Sequence, residues 1–341
     1  MRARRLPRRT RSSTERPRVS GSDDVKRLAL TVLSALALLA AAGAAQATDG
    51  DRPGSDAVDI DPARFTKKLD AAYGAYQRGL YRTAFNLALE RAKTGDVPAQ
   101  TLAAEILSRG LGVPRDEREA AKWYERAAEG GDPEAQFQYA LLLLDGRFVK
   151  KDKRQAYALM EAAAEAGNVL AQFNFAQLSV DLHPGPNGME RAISYYERAA
   201  KAGLPDAQYA MARINAEGLG GRPRDDTEAR RWLGLAAQQN FDTAQLDLGA
   251  WLIEGRGGAR DEKRGFRILK QVAEGGNVAA QARVAKLYLN GIGTEPDSIF
   301  AAAWYILARR AGLTDPQLED FMNGLTDEEI RTALQRANRL R

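Results

Sequence analysis

The chain has no cysteine among its 341 residues and a single histidine, His183. Without cysteine it can form no disulfide, no thiolate nucleophile, no cysteine-ligated metal site and no lipobox of a bacterial lipoprotein. One imidazole excludes a pair of histidine ligands and leaves only one candidate imidazole base. Most common catalytic sites are therefore excluded, and we expect a non-enzymatic protein with no cofactor and no metal site.

A basic surface is also missing from most of the chain, although the formal net charge is +5. Residues 1–27 contain ten Lys or Arg against three acids, whereas residues 28–341 contain 40 basic against 42 acidic side chains. Nucleic-acid binding needs clustered cations that release phosphate counterions. The near balance after residue 27 predicts no nucleic-acid partner.

The basic N-terminal segment leads into an uncharged apolar run from Leu28 to Ala44, followed by Ala45-Gln46-Ala47 and a polar stretch. This order of segments is typical of a secretory signal peptide cleaved before Thr48. Residues 28–47 are also just long enough to span a bilayer as an uncleaved anchor. Both interpretations predict an extracytoplasmic, periplasmic protein, and only the second gives it a membrane contact.

One six-residue signature, Gly-(Asp/Asn)-x-x-Ala-Gln, recurs along the rest of the chain in four exact and three looser copies. Its last residue is a glutamine at each of seven positions that are 36 or 37 residues apart: Gln100, Gln136, Gln172, Gln208, Gln245, Gln281 and Gln317. A constant period of this length predicts a solenoid of stacked helical hairpins. We expect an all-α fold, a right-handed α/α superhelix of about six to seven helix-turn-helix repeats.

Further columns keep a fixed distance from each glutamine. A small residue stands sixteen before it and another four after it, and glycine commonly stands ten after it, as in Ala120, Ala140 and Gly146 of one repeat. Small residues allow close helix packing, and glycine ends a helix. Aspartates such as Asp116 and Asp152 are predicted to cap the second helix of each repeat.

These residues resemble the Sel-1-like repeats, short relatives of tetratricopeptide repeats. The pattern is carried by Gly110-Leu111-Gly112-Val113, Asp116, Ala120 to Tyr124 and Ala127-Ala128. The resemblance covers roughly residues 70–317, with departures in the loop 182–188 and between Gly218 and Ala229. It implies a scaffold that binds a protein or peptide, and with the signal peptide it implies regulation of an envelope sensor kinase or assistance to exopolysaccharide or secretion assemblies.

Two alternative functions stay open at this point. One is an envelope enzyme or peptidoglycan-binding protein, although the cysteines of the β-lactam-binding branch of these repeats are absent. The other is a structural spacer. His183 lies in a Pro- and Gly-containing loop, where a solvated side chain is the simplest interpretation and no partner for a catalytic triad can be assigned.

The predicted domain organisation places the repeats between dissimilar ends. We expect a basic tail plus signal peptide or N-terminal anchor at 1–47, a linker at 48–61, N-terminal capping helices at 62–94, repeats at 95–317 and a C-terminal capping helix at 318–341. The capping helix is predicted from the box Thr326-x-x-Glu329.

The candidate site is a stripe one, five and eight residues after each glutamine, which we expect to line the concave groove. Phe137, Phe173 and Tyr209 recur at 36-residue intervals in this stripe. The predicted partner-binding groove also includes Leu141, Leu144, Gln177 and Arg213. The aromatic row has two interpretations, exposed anchors for a partner or core between adjacent repeats.

Overall fold

A computed structural model describes residues 70–340, and the predicted signal segment, linker and first part of the N-terminal cap lie outside them. The described residues form sixteen α-helices and no β-strand. The helices are α1 Ala71–Gln77, α2 Tyr81–Lys93, α3 Val97–Arg109, α4 Glu117–Glu129, α5 Pro133–Asp145, α6 Lys153–Glu165, α7 Val169–Leu182, α8 Pro186–Lys201, α9 Pro205–Glu217, α10 Asp226–Gln238, α11 Asp242–Glu254, α12 Glu262–Glu274, α13 Val278–Asn290, α14 Ser298–Arg310, α15 Pro316–Asn323 and α16 Asp327–Arg339.

The helices alternate between two roles in a two-layer stack. The six odd-numbered helices from α3 to α13 each carry a signature glutamine, and we call them the anchor helices of repeats 1 to 6. Each anchor helix packs against the even-numbered helix before it and the one after it. This arrangement confirms the helical solenoid predicted from the 36-residue period.

The signature residues shape the connection into each anchor helix. In repeat 2, Gly131 takes a positive φ of 85°, and the Asp132 side chain accepts a hydrogen bond from Ala135 N at 2.8 Å. The signature glutamine donates from Nε2 to a backbone carbonyl eight residues back, at the end of the preceding helix. These bonds link Gln100 to Ala92 at 3.2 Å, Gln136 to Ala128 at 3.5 Å, Gln172 to Ala164 at 3.2 Å, Gln208 to Ala200 at 3.2 Å, Gln245 to Ala237 at 3.1 Å and Gln281 to Ala273 at 3.3 Å. The signature is therefore a capping device, since it satisfies groups that a helix end leaves unpaired.

Repeat 5 departs from the signature where Asn240 replaces the glycine. Asn240 has a φ of 60° and is the one non-glycine residue with positive φ in the described part of the chain. Asparagine tolerates this left-handed conformation better than other residues with a side chain. The turn therefore keeps its geometry despite the substitution.

Outside repeat 3, the second turn of each repeat also ends one helix and begins the next as predicted. Gly146, for example, is left-handed with a φ of 77°, and Asp152 caps α6 by accepting a hydrogen bond from Gln155 N at 2.9 Å. The Asp152 N–H donates to Leu143 O at 3.1 Å, which ties the cap back to the anchor helix. Asp116, Asp261 and Asp297 cap their helices in the same way.

Small residues lie where the two helices of a repeat cross. Ala140 and Ala176 are fully buried, and so are their counterparts Ala156 and Ala192. In repeat 5 both positions are glycine, and a Cβ on Gly249 would lie 2.6 Å from Leu269 Cγ. Close approach of the two layers therefore depends on these positions.

The C-terminal end of the stack is covered by α16. Thr326 and Glu329 form the predicted capping box, with Thr326 N donating to Glu329 Oε2 at 2.8 Å. Ala333 and Ala337 of α16 are fully buried in one cluster with Trp304 of α14. The terminal helix therefore covers apolar surface that a seventh full repeat would otherwise bury.

Candidate partner-binding surface

The predicted aromatic row lies mostly inside the protein. Phe137 is 4% exposed and Phe173 is 7% exposed, and the ring of Phe173 packs edge-on against Tyr196 with the centroids 5.6 Å apart. Tyr209 is half-buried and donates its hydroxyl to Asp247 Oδ2 at 3.0 Å. For Phe137 and Phe173, burial supports the interpretation as core, so the expected row of exposed rings is absent.

The other predicted groove residues lie closer to solvent. Leu141, Leu144, Gln177 and Arg213 are all half-buried. Arg213 Nε donates to Glu217 Oε1 at 2.9 Å, so its charge is already paired. Their binding role stays a prediction.

Part of the predicted stripe is buried because each anchor helix has several neighbours. At 100° per residue, positions one and eight after the glutamine lie 100° and 80° from it. Anchor helices contact even-numbered helices on both sides, and they also bond to one another, as between Asn168 Nδ2 and Glu134 Oε2 at 2.9 Å. The buried arc is therefore wide enough to include Phe137, Phe173 and also Val180.

The side of an anchor helix opposite the glutamine is partly exposed, although Asn174 and Ala210 on this side are buried. It consists of the residues two before the glutamine and two, five and nine after it, and we call this surface the anchor face. Every residue nine after the glutamine is exposed, and every residue five after it is half-buried. In repeats 2 to 5 the anchor face comprises Glu134, Gln138, Leu141, Asp145, Leu170, Asn174, Gln177, Asp181, Asp206, Ala210, Arg213, Glu217, Thr243, Asp247, Ala250 and Glu254.

The anchor face of repeats 2 to 5 is strongly acidic. Seven of its sixteen residues are Asp or Glu, and Arg213 is its one basic residue. In repeat 6 the same surface carries Arg283 and Lys286 with no acid, so the negative charge is confined to the middle of the stack. This charge pattern is present in the sequence, and it becomes visible when the residues opposite each glutamine on a helical wheel are compared between repeats.

Desolvation changes the titration of several of these groups. Asp181 is exposed overall, yet neighbouring atoms exclude enough water from its carboxylate to raise its pKa, an effect that Lys153 partly offsets. Burial also raises the pKa of Asp206. Burial and then the nearby Asp247 raise the pKa of Tyr209, so its hydroxyl stays a donor at neutral pH.

The loop that replaces the usual turn of repeat 3 presents His183 at the surface. Helix α7 continues to Leu182 without a left-handed glycine, and α8 begins after Gly185 without a side-chain cap. The His183 ring meets Tyr157 edge-on at 5.9 Å between centroids. No Asp, Glu or Ser within the described residues hydrogen-bonds to this imidazole, so no catalytic triad forms around it.

Residues 70–340 lack the features of a metal site and of a membrane-spanning helix. No three or more of their His, Asp or Glu side chains are grouped so as to hold a metal ion. No helix in this range combines the length and the apolar character needed to cross a bilayer.

The stacked hairpins and their uncovered anchor face define a helical-repeat scaffold, a class whose members generally bind other proteins. A family model described as Sel1 repeat matches residues 97–132, 133–168, 182–204, 205–241, 243–277 and 278–313. These matches cover more than half of the sequence, so the chain belongs to the Sel1 repeat family. The part of α7 before Leu182 lies outside the matches, where repeat 3 departs from the pattern.

Solved structures with the same fold include two bacterial proteins. One is c5321, a protective antigen of uropathogenic Escherichia coli displaying an SLR fold, with 25% identity and a TM-score of 0.52 over 76% of this chain and 63% of that one. The other is a Sel1 repeat protein from Oxalobacter formigenes, with 24% identity and a TM-score of 0.59 over 72% of this chain and 97% of that one. This chain thus spans less than two thirds of the first protein's length. No curated protein sequence matches the chain significantly.

Proposed function

We propose that this protein is an exported, non-enzymatic scaffold that binds a protein or peptide in the bacterial cell envelope through its anchor face. The observation that carries the proposal is the uncovered state of this face. Leu170 is 46% exposed there and Leu141 is half-buried, whereas large apolar side chains elsewhere in the stack are mostly buried. Exposed apolar side chains on a rigid repeat surface are typical of a binding site.

The envelope location is supported by the order of segments before residue 48. A basic segment, an apolar run and Ala45-Gln46-Ala47 together predict export with a mature chain that begins near Thr48. An uncleaved segment 28–47 would leave the repeats in the same compartment, anchored to the inner membrane. The proposed roles there are regulation of a sensor kinase or support of an exopolysaccharide or secretion assembly.

Export is tested with the full chain carrying a C-terminal tag in its native bacterium. Cell fractionation should place the protein in the envelope fraction, and mass spectrometry should find an N-terminus near Thr48. A protein retained in the cytosol with an intact N-terminus would contradict export. A protein in the inner membrane with residues 28–47 intact would select the anchored form.

Partner binding is tested by cross-linking in the same cells with two matched variants. Leu170→Gln alters the anchor face, whereas Leu334→Gln alters the 37% exposed leucine of α16. We expect a specific cross-linked partner that is lost with Leu170→Gln and kept with Leu334→Gln. Equal capture by both variants would show that binding does not use the anchor face.

A further inference from the structure

A surface cavity of about 390 Å³ is lined by α10, α11 and the start of α12. Its floor is apolar and includes the buried side chains of Leu248 and Leu252 from α11. Its walls carry three arginines, Arg230 and Arg231 of α10 and Arg264 of α12, and no acidic residue lines it. We call this cavity the arginine pocket. Its volume is within the range of sites that hold small molecules.

Two of the three arginines have no acidic partner within the described part of the chain. Arg264 is exposed, and its guanidinium group forms no hydrogen bond or ion pair there. Arg230 donates only to backbone carbonyls, including Ala259 O at 3.0 Å from both Nη1 and Nη2. These bonds fix the position of the Arg230 side chain without neutralising its charge. Arg231, by contrast, forms an ion pair with Glu228 at 3.1 Å, so two positive charges of the pocket remain unpaired.

The equivalent contact in repeat 3 contains an acid that repeat 5 lacks. Arg191 occupies the position in α8 that Arg264 occupies in α12, nineteen residues after the signature glutamine. It forms an ion pair with Glu161, which lies eleven residues before that glutamine. In repeat 5 the residue at the position of Glu161 is Gly234. Repeat 5 therefore keeps the arginine and lacks its carboxylate partner.

Two further differences between repeats 3 and 5 make the pocket more positive. Glu165, seven residues before the glutamine of repeat 3, corresponds to Gln238, which lines the pocket. Tyr157, fifteen residues before the same glutamine, corresponds to Arg230. With Gly234 included, repeat 5 therefore has two acids fewer and one cation more than repeat 3 at these three positions.

Helix packing does not explain the glycine in α10. Gly234 lies in the interior of the helix, where glycine is less stable than a residue with a side chain. A Cβ on Gly234 would meet no atom within 4 Å, so no neighbour requires a glycine there. The glycine instead leaves the pocket open and Arg264 unpaired. The equivalent residues of repeats 2 to 4 are paired glutamates, namely Glu125 with Tyr139, Glu161 with Arg191 and Glu197 with Lys201.

From these features we propose that the arginine pocket binds a small organic phosphate, in which a phosphate monoester is joined to an apolar group. A phosphate monoester carries close to two negative charges at neutral pH, which matches the two unpaired guanidinium groups. Guanidinium groups form strong paired hydrogen bonds with phosphate oxygens. The apolar group contacts Leu248 and Leu252 on the floor. This inference goes beyond the proposed function, because it needs no contact at the anchor face.

The pocket suits a soluble phosphate ester better than a membrane surface that carries phosphate headgroups. Proteins that lie on a membrane insert apolar side chains from their surface into the headgroup and acyl boundary. The leucines that line the pocket are Leu235, Leu248 and Leu252, and each is half-buried or buried. The apolar surface is therefore recessed, where a small ligand reaches it and a bilayer does not.

The test measures binding of phenyl phosphate to the full chain by isothermal titration calorimetry at low ionic strength. We expect saturable one-to-one binding with a Kd of about 0.1–1 mM. Benzoate has a single negative charge and inorganic phosphate has no apolar group, so each should bind several-fold more weakly. Phenol should not bind, and added salt should weaken the binding of phenyl phosphate. Vesicles that contain phosphatidic acid should not displace phenyl phosphate.

Two substitutions alter the pocket in different ways. Arg264→Gln removes an unpaired cation, and we expect it to weaken the binding of phenyl phosphate about tenfold or more. Gly234→Glu introduces the glutamate found in repeats 2 to 4, which should pair with Arg264 and abolish binding. The matched control, Arg267→Gln, removes the same charge from an exposed arginine of α12 that does not line the pocket. The control should bind within about twofold of the unaltered chain.

Thermal melting separates the loss of a site from the loss of the fold. Because Arg264 has no partner to lose, Arg264→Gln should melt within about 2 °C of the unaltered chain. Gly234→Glu should melt at the same temperature or higher, because glutamate is the better helix former and its Cβ meets no obstructing atom.

Several results would overturn the inference. They are the absence of saturable binding, equal binding of benzoate and phenyl phosphate, displacement by the vesicles, equal binding by Arg264→Gln and Arg267→Gln, and unimpaired binding by Gly234→Glu. None of them concerns the cellular partner that is tested with Leu170→Gln. The failure of this inference and the failure of the proposed function are therefore distinguishable.

Discussion

The sharpest test of the packing is the substitution Phe173→Ala. Phe173 of α7 is 7% exposed, and its ring lies edge-on to Tyr196 of α8, the second helix of the same repeat. Truncation removes the aromatic contact and leaves a cavity lined by side chains that cannot collapse fully. Substitutions of this kind cost about 3–5 kcal/mol of unfolding free energy.

The expected readout is a large fall in melting temperature by circular dichroism. For a folded region of this size, the loss corresponds to a fall of roughly 6–20 °C. Because each repeat contacts only its neighbours, unfolding should begin near repeat 3 and broaden the transition. Urea unfolding should show a loss of unfolding free energy of about the same size.

The matched control is Tyr209→Phe, which keeps the ring and removes only the hydroxyl that donates to Asp247. We expect a loss of about 0.5–1.5 kcal/mol, the usual contribution of one hydrogen bond. If Phe173→Ala melted within about 2 °C of the unaltered protein and lost its partner instead, the ring would be an exposed anchor. That result would refute the assignment of Phe173 to the core.

Three further substitutions test other parts of the stack. Ala140→Trp should overpack the crossing of two helices and cost about 1–3 kcal/mol or more, and an unchanged melting temperature would contradict the assigned repeat phase. Asn240→Ala should cost about 1 kcal/mol because alanine tolerates positive φ poorly, whereas Asn240→Gly should be nearly neutral in the same thermal melt. Hydrogen bonds from Arg256, and to a lesser extent from Arg224, hold the pKa of the Asp226 carboxyl below its usual range. The stability that the ionised Asp226 carboxylate contributes is therefore present above about pH 4 and is lost on acidification. The substitution Asp226→Asn should lower the melting temperature at pH 7, and it should lower it progressively less below about pH 4.

Much of the fold could be predicted because the chemistry of each turn is local. Gly131, Asp132 and Gln136 lie within six residues, and together they form the left-handed turn, the helix cap and the back-bond to the preceding helix. The Thr326–Glu329 capping box is likewise complete within four residues. Features of this kind can be predicted from the sequence because the groups that interact are close together along the chain.

The candidate surface was harder to predict because burial depends on distant neighbours. A helical wheel places Phe137 and Phe173 beside the core stripe, but it does not say how many helices contact that side. Contacts from both layers widen the buried arc, and the exposed arc moves to positions such as Asp181 and Leu170. A single helix gives the angular position of each residue, but it does not give the width of the arc that neighbouring helices bury.

Sequence alone determined the helical class, the 36-residue period and the residues that begin and end each helix, since these follow from hydrogen bonds within single turns. Only the tertiary structure decided that the phenylalanines are buried while the carboxylates at the ends of α5, α7, α9 and α11 face solvent. The physical reason is that accessibility is a property of the assembled layers. Whether a side chain is buried depends on helices that are distant in the sequence. The hydrogen bond between Asn168 and Glu134, which are 34 residues apart, is an example of such a contact.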